Sequence, residues 1–257
     1  MFHHEGAHRT ERHNQLLAGY LAFVAGLVNS AGFVLVGTFT SHVTGNVGRL
    51  ADHLALGDGR IALLAATMVG AFFVGAFVCS MALESNVLAR RPAVYAVLLL
   101  GEAALLGAFW ALARGVRPGD VHRADQVAML LCAAMGLQNS LVTRLSGAVV
   151  RTTHLTGVVT DLGIEAARWF RWWRARLGER TGMRLTVGTT APVVPHAPKA
   201  ILLATILLAF VSGSTIGAVL ALGVRHVAML VPAGLLVAGG LYAALGGPDL
   251  VEEGSRK

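Results

Sequence analysis

Two histidines stand in matching settings, one in Thr40-Ser41-His42-Val43-Thr44-Gly45 and one in Thr152-Thr153-His154-Leu155-Thr156-Gly157. An imidazole changes charge near neutral pH, and flanking hydroxyls both donate and accept hydrogen bonds. Such a set can hold a small polar solute or hand on a proton. Two histidines are too few to make a metal site. The amide of Asn46 follows the first element directly, and Asn29, Gln138 and Asn139 carry further amides upstream of the two elements. These amides either line a solute path or bond neighbouring helices. Glu102 is flanked by Leu100, Gly101 and Ala103 in an apolar run. A carboxyl group in such a run is costly inside a membrane. It has three readings: proton coupling, cation binding, or a protonated packing contact. The candidate path therefore comprises Asn29, His42, Thr44, Asn46, Glu102, Gln138, Asn139, His154 and Thr156.

Other chemistry is missing from the pattern. The chain has no Gly-rich phosphate loop, no metal-spaced Cys/His set and no nucleophile elbow. Neither a cofactor nor a resident metal is expected. An intramembrane enzyme would need a convergent acid, base and nucleophile, which these residues do not assemble. Cys79 and Cys132 both fall in apolar runs and read as small buried hydrophobes. The N-terminal His3, His4, His8 and His13 read as part of a polar tail rather than as ligands.

The elements that carry these residues belong to a membrane. Of the 257 residues, 55% are apolar and only 14% charged, where a soluble domain carries about a quarter charged residues. The apolar residues fall in six blocks, 16–36, 61–83, 93–113, 127–145, 200–222 and 227–245. Each is long enough to cross a hydrocarbon layer of about 30 Å. In lipid a helix satisfies its own backbone, so six transmembrane helices are expected. The net charge of +7 does not imply nucleic acid, because the basic residues lie between the blocks. Fourteen Lys and Arg fall on one side of the membrane and six on the other. That asymmetry puts both termini in the cytoplasm of a plasma membrane.

One loop has its own character. Arg168, Trp169, Arg171, Trp172, Trp173, Arg174 and Arg176 make a basic-aromatic patch, which reads as a helix lying on anionic lipid at the inner surface. A docking site for a partner is the alternative.

The chain also resembles itself. Gly26-Leu27-Val28-Asn29-Ser30 returns as Gly136-Leu137-Gln138-Asn139-Ser140, and Ala71-Phe72 with Gly75 returns as Ala209-Phe210 with Gly213. Each half holds three spans, and an odd number makes the second half enter from the opposite side. The organisation read from this is a polar tail 1–15, a first repeat 16–113, a linker 114–126, a second repeat 127–245 with a basic loop 168–199, and a tail 246–257. The expected fold is all-α: two inverted three-helix repeats, each with a short amphipathic or re-entrant helix after its first span. Val47, Leu50, Ala51 and Leu54 keep helical spacing in the first copy. There Thr44 and Thr156 could serve only as caps, and Gly45 and Gly157 only as turns. On these paired helices Arg49 matches Asp161, and an ion pair between them is expected if the helices approach; the alternative is that they face water on opposite sides.

The segments Phe39–Asn46, Met135–Ser140 and Arg151–Gly157 give the chain a resemblance to the YoaK family of bacterial polytopic membrane proteins, a domain of unknown function. The likeness covers nearly all of residues 16–245 and implies a six-span bacterial inner-membrane protein, with no substrate attached. The leading functional expectation is a secondary transporter or channel for a small solute, proton-coupled if Glu102 lies on the path. The runner-up is a scaffold or sensor that meets lipid or a partner through its basic helix. An oligomer is compatible with either.

Overall fold

The computed structural model describes residues 11–85, 91–116, 120–145, 155–181 and 197–245. Among them are helices α1 (Glu11–Val36), α2 (Val43–Ala55), α3 (Gly59–Glu84), α4 (Arg91–Ala113), α5 (Val121–Leu145), α6 (Leu155–Thr181), α7 (Ala197–Val224) and α8 (Leu230–Leu245), and no strand. Five segments are long and apolar enough to cross a membrane: Gln15–Val36, Gly59–Glu84, Ala93–Ala113, Arg123–Arg144 and Ala197–Leu245. The protein is therefore a helical, multi-pass membrane protein.

Local sequence explains the breaks. Gly37 takes a φ of 78° and closes α1, its amide donating to the Phe33 carbonyl at 2.8 Å. Gly57, at φ 75°, turns the chain between α2 and α3, and the Asp58 carboxylate caps α3 by accepting from the Ile61 amide at 3.2 Å. Asp120 does the same for α5 through the Arg123 amide. The fifth apolar segment is 49 residues long and contains both of the last two expected spans. A 3₁₀ turn at Arg225–Met229 divides it, followed by Pro232 in the first turn of α8. Proline supplies no amide to the turn before it, so the α-helical ladder cannot run through.

The helices pack in a reciprocal pattern. α1 lies along α7, and α3 along α5, as the two most extensive pairings; α4 packs on α8, and α2 on α3. Glycines allow the two long pairings to close backbone on backbone. A methyl group at Gly26 or Gly213 would sit 3.0–3.1 Å from the carbonyl carbons of Phe210 and Phe23 respectively. At Gly136 or Gly75 it would sit 2.8 Å from those of Phe72 and Ala133. These four contacts form two matched pairs: Gly26 on Phe210 answers Gly136 on Phe72, and Gly213 on Phe23 answers Gly75 on Ala133.

The same contacts give directions. Gly19 meets Thr205 and Leu27 meets Gly217, so α1 and α7 run parallel. Phe72 meets Gly136 and Ser80 meets Ser140, so α3 and α5 run parallel too. In contrast, Leu21 accepts a hydrogen bond from Gln138 Nε2 at 3.0 Å while Gly32 lies against Leu131, so α1 and α5 run in opposite directions. The core is apolar, centred on Leu17, Leu21, Leu99, Leu106, Phe109 and Met135.

The helices after the first spans differ from expectation in one respect. α2 is short, 13 residues, but its counterpart is not. α6 runs unbroken for 27 residues, from the second motif through the whole basic-aromatic patch. The first copy stops because Gly57 and Asp58 end it. The second has no breaker between Glu165 and Leu177, only Ala, Arg and aromatic residues that sustain a helix.

Candidate functional site

A cavity of about 650 Å³ lies between α2, α3, α5 and the start of α6. Its lining includes Ser41, His42, Val43 and Thr44 from the first motif, and Thr156 from the second. Phe72, Ala76 and Ser80 contribute from α3; Asn139, Ser140, Thr143 and Arg144 contribute from α5. The two repeated elements, 112 positions apart in sequence, thus face one space.

Each wall is fixed by a specific bond. The Ser41 hydroxyl donates to Asn29 Oδ1 at 2.8 Å, which ties the loop before α2 back to the first span. Ser80 and Ser140 share a hydrogen bond of 2.9 Å, closing α3 on α5 beside the cavity. On the same wall, Arg144 forms an ion pair with Glu84, and both side chains are about half exposed (50% and 58%). A pair this open to solvent is worth little as a brace; it leaves the guanidinium on the cavity wall with its charge balanced by the Glu84 carboxylate.

The motif's glycine has a different job from a turn. Gly45 lies inside α2, and a methyl there would come within 2.9 Å of His42 Cε1, so its hydrogen leaves room for the imidazole to fold over the helix start. Nor is Thr44 a cap. His42 holds the capping position and its side chain makes no capping bond, which leaves Thr44 as part of the cavity wall.

Of the predicted path, His42, Thr44, Asn139 and Thr156 line the cavity, and Asn29 touches it through Ser41. Asn46 is buried on α2, and Gln138 is buried and bonded to α1. His154 lies outside the described residues, as do the N-terminal His3, His4 and His8. Glu102 is apart from the lining: it is fully buried in α4, and neither carboxyl oxygen has a hydrogen-bond partner among the described residues. Among the described residues no cluster of three or more His, Cys, Asp or Glu could hold a metal.

The expected pair of Arg49 and Asp161 does not form. Arg49 binds Asp125 at 2.9 Å, near the start of α5, and Asp161 binds Lys199 at 3.3 Å, near the start of α7. Because α5 is antiparallel to α1 while α7 is parallel to it, these starts lie at opposite ends of the bundle. Only the motif ends of α2 and α6 approach; five residues farther along, about 7.5 Å of helix each, the matched charges have diverged.

Sequence reasoning missed Ser80, Ser140, Thr143 and Arg144. Arg144 was the available signal, since a cation within an apolar span demands a partner or a water-filled space. Ser80 and Thr143 carried none, because isolated hydroxyls in spans can bond their own helix, as Thr143 does to the Asn139 carbonyl.

Fold and site together define a helical, multi-pass membrane protein with a partly open cavity between its helices. Residues 17–242 match the family described as a protein of unknown function, DUF1275, and the chain belongs to that family. No curated protein and no solved structure matches it.

Proposed function

We propose that this protein is a secondary transporter or channel for a small solute, with the cavity between α2, α3, α5 and α6 as its binding chamber. The carrying observation is that both copies of the Ser/Thr-His-x-Thr-Gly element contribute to one cavity, the second through Thr156. A partly open cavity lined by hydroxyls, an amide and apolar side chains is space that a purely structural bundle would gain by packing.

In this reading the chain has six spans, the last two being α7 and α8, arranged as two inverted three-helix repeats. The antiparallel course of α1 and α5 and the matched glycine contacts support that arrangement. We place it in a bacterial inner membrane with both termini cytoplasmic, on the strength of the basic-residue asymmetry. The YoaK likeness accords with this. No catalytic role is assigned, and Glu102 is not given a place in the solute path.

The test is uptake into proteoliposomes, after a screen for solutes that raise the melting temperature of the purified protein. A ligand at about a hundred times its Kd stabilises by about 2.7 kcal/mol. Thr143→Cys is then treated with a bulky thiol reagent, in a background with Cys79 and Cys132 replaced by Ala. Uptake that stops on labelling supports the chamber as the path; uptake that continues at full rate with the label in place refutes it. The exposed basic-aromatic end of α6 favours a second reading, a scaffold or sensor. That reading predicts no uptake of any stabilising solute.

A further inference from the structure

The far end of α6 presents a surface that the cavity does not use. Val159, Trp169, Phe170, Trp173 and Leu177 are all exposed, and at 3.6 residues per turn their positions fall within an arc of about 100°, on one side of the helix. Beside this stripe runs an arginine row. Arg174 lies over the Phe170 ring at 5.8 Å and Arg176 over Trp172 at 4.5 Å, so the guanidinium groups are held against the aromatic face rather than swinging free.

Depth follows from the ion pairs. Lys199, near the start of α7, reaches Asp161 at 3.3 Å and Glu165 at 3.7 Å. The Asp161–Glu165 turn therefore sits level with the end of an apolar segment. Residues 168–177 continue past the hydrocarbon to the headgroup level, where indole rings and arginines are both favoured. Among the described side chains from Arg168 to Leu177 the exposed ones are cationic, aromatic or, at Leu177, aliphatic, and the preceding Glu165 carboxylate is buried and paired to Arg168. The complement of such a face is a surface of anionic lipid headgroups.

We propose that anionic lipid docks on the Arg168–Leu177 stretch of α6 and thereby sets the position of the cavity wall. The link is the helix itself. α6 is continuous from Leu155 to Thr181, and Thr156 at its start lines the cavity. About 26 Å of unbroken helix separates Thr156 from Trp173, and a rod of that length transmits a tilt imposed at one end to the other. The proposal concerns regulation of the chamber and does not require that solute cross it, so its readouts are independent of transport.

The full-length chain carrying Trp110→Phe is placed in nanodiscs of one fixed phosphatidylcholine and phosphatidylglycerol mixture. Bromine is carried on the acyl chains of one lipid or the other. Quenching of the remaining Trp169, Trp172 and Trp173 is expected to be stronger when the phosphatidylglycerol is brominated. Each arginine near an anionic surface contributes about fivefold to partitioning, so Arg168→Gln, Arg171→Gln and Arg174→Gln together are expected to abolish the preference. In a second arm, Thr156→Cys, with Cys79 and Cys132 replaced by Ala, is labelled by a water-soluble thiol reagent. Its rate is expected to differ between discs with and without phosphatidylglycerol, and the arginine substitutions should remove the difference. Equal quenching by both lipids overturns charge-selected docking. Absence of quenching by either means that water, a second copy or another protein covers the stripe, and overturns it as well. Selective quenching with an unchanged labelling rate overturns the coupling to the cavity.

Discussion

Replacing Gly26 or Gly136 by alanine tests the reciprocal packing directly. The two glycines occupy matched positions on α1 and α5, and each receives the backbone of a neighbouring helix at Phe210 or Phe72. A methyl at Gly26 would lie 3.1 Å from the Phe210 carbonyl carbon, and one at Gly136 2.8 Å from that of Phe72. Carbon atoms in favourable contact sit about 3.5–4.0 Å apart, so the helices must separate by roughly 0.5–1 Å over the crossing. The obstacle is backbone, which cannot rotate away as a side chain would. Overpacking of this kind costs about 1–3 kcal/mol, which at about 2–4 °C per kcal/mol for a chain of this size lowers Tm by about 2–12 °C. The control is Gly101→Ala, where the added methyl meets nothing within 4 Å. There the gain in helix propensity, up to about 1 kcal/mol, leaves Tm unchanged or slightly raised. Thermal unfolding of the purified protein in detergent, followed by intrinsic fluorescence, reads all three. Equal melting temperatures for Gly26→Ala, Gly136→Ala and Gly101→Ala would refute the close crossings, and a large loss in only one of the first two would refute their equivalence.

Arg49→Gln leaves Asp125, 3% exposed, without its cation, and is expected to cost about 3–5 kcal/mol in unfolding experiments; Arg49→Gln with Asp125→Asn recovers most of it, whereas exchanging the charges of Arg49 and Asp161 rescues nothing. Ser140→Ala removes the hydrogen bond to Ser80 at the cavity edge and should lower stability by about 0.5–1.5 kcal/mol, with no loss meaning that α3 and α5 are not closed there. Glu102→Leu removes a buried carboxyl with no bonding partner among the described residues and is expected to raise stability by about 1–3 kcal/mol; a fall in Tm would reveal a partner.

Much of the architecture was legible because lipid makes sequence unusually literal. A span must be apolar and about 20 residues long, so the boundaries of α1, α3 and α4 were readable to within a few residues. Gly26-x-x-Asn29 and Gly136-x-x-Asn139 could be matched because both the close crossing and the cavity-side amide need specific residue types. The failures share a cause. Whether α6 would stop like α2 depended on one Gly-Asp pair present in the first copy and absent from the second. Whether Arg49 would meet Asp161 depended on which ends of α2 and α6 converge, a property of the bundle rather than of either segment. Glu102 stood out as a carboxyl in an apolar run, but sequence carries no signal of whether such a group faces a cavity or a neighbouring helix.

The matched glycine crossings are not accompanied by matched side chains at the ends of α1 and α5. Position for position, Thr143 and Arg144 at the end of α5 correspond to Phe33 and Val34 at the end of α1. On α5 these residues are a hydroxyl and a guanidinium lining the cavity, with Glu84 paired to the guanidinium. On α1 the corresponding surface is apolar, and Phe33 stacks on Phe39 with ring centres 4.2 Å apart, just before the first motif. The glycine crossings are thus reciprocal, while the side chains at these two matched positions are polar on α5 and apolar on α1.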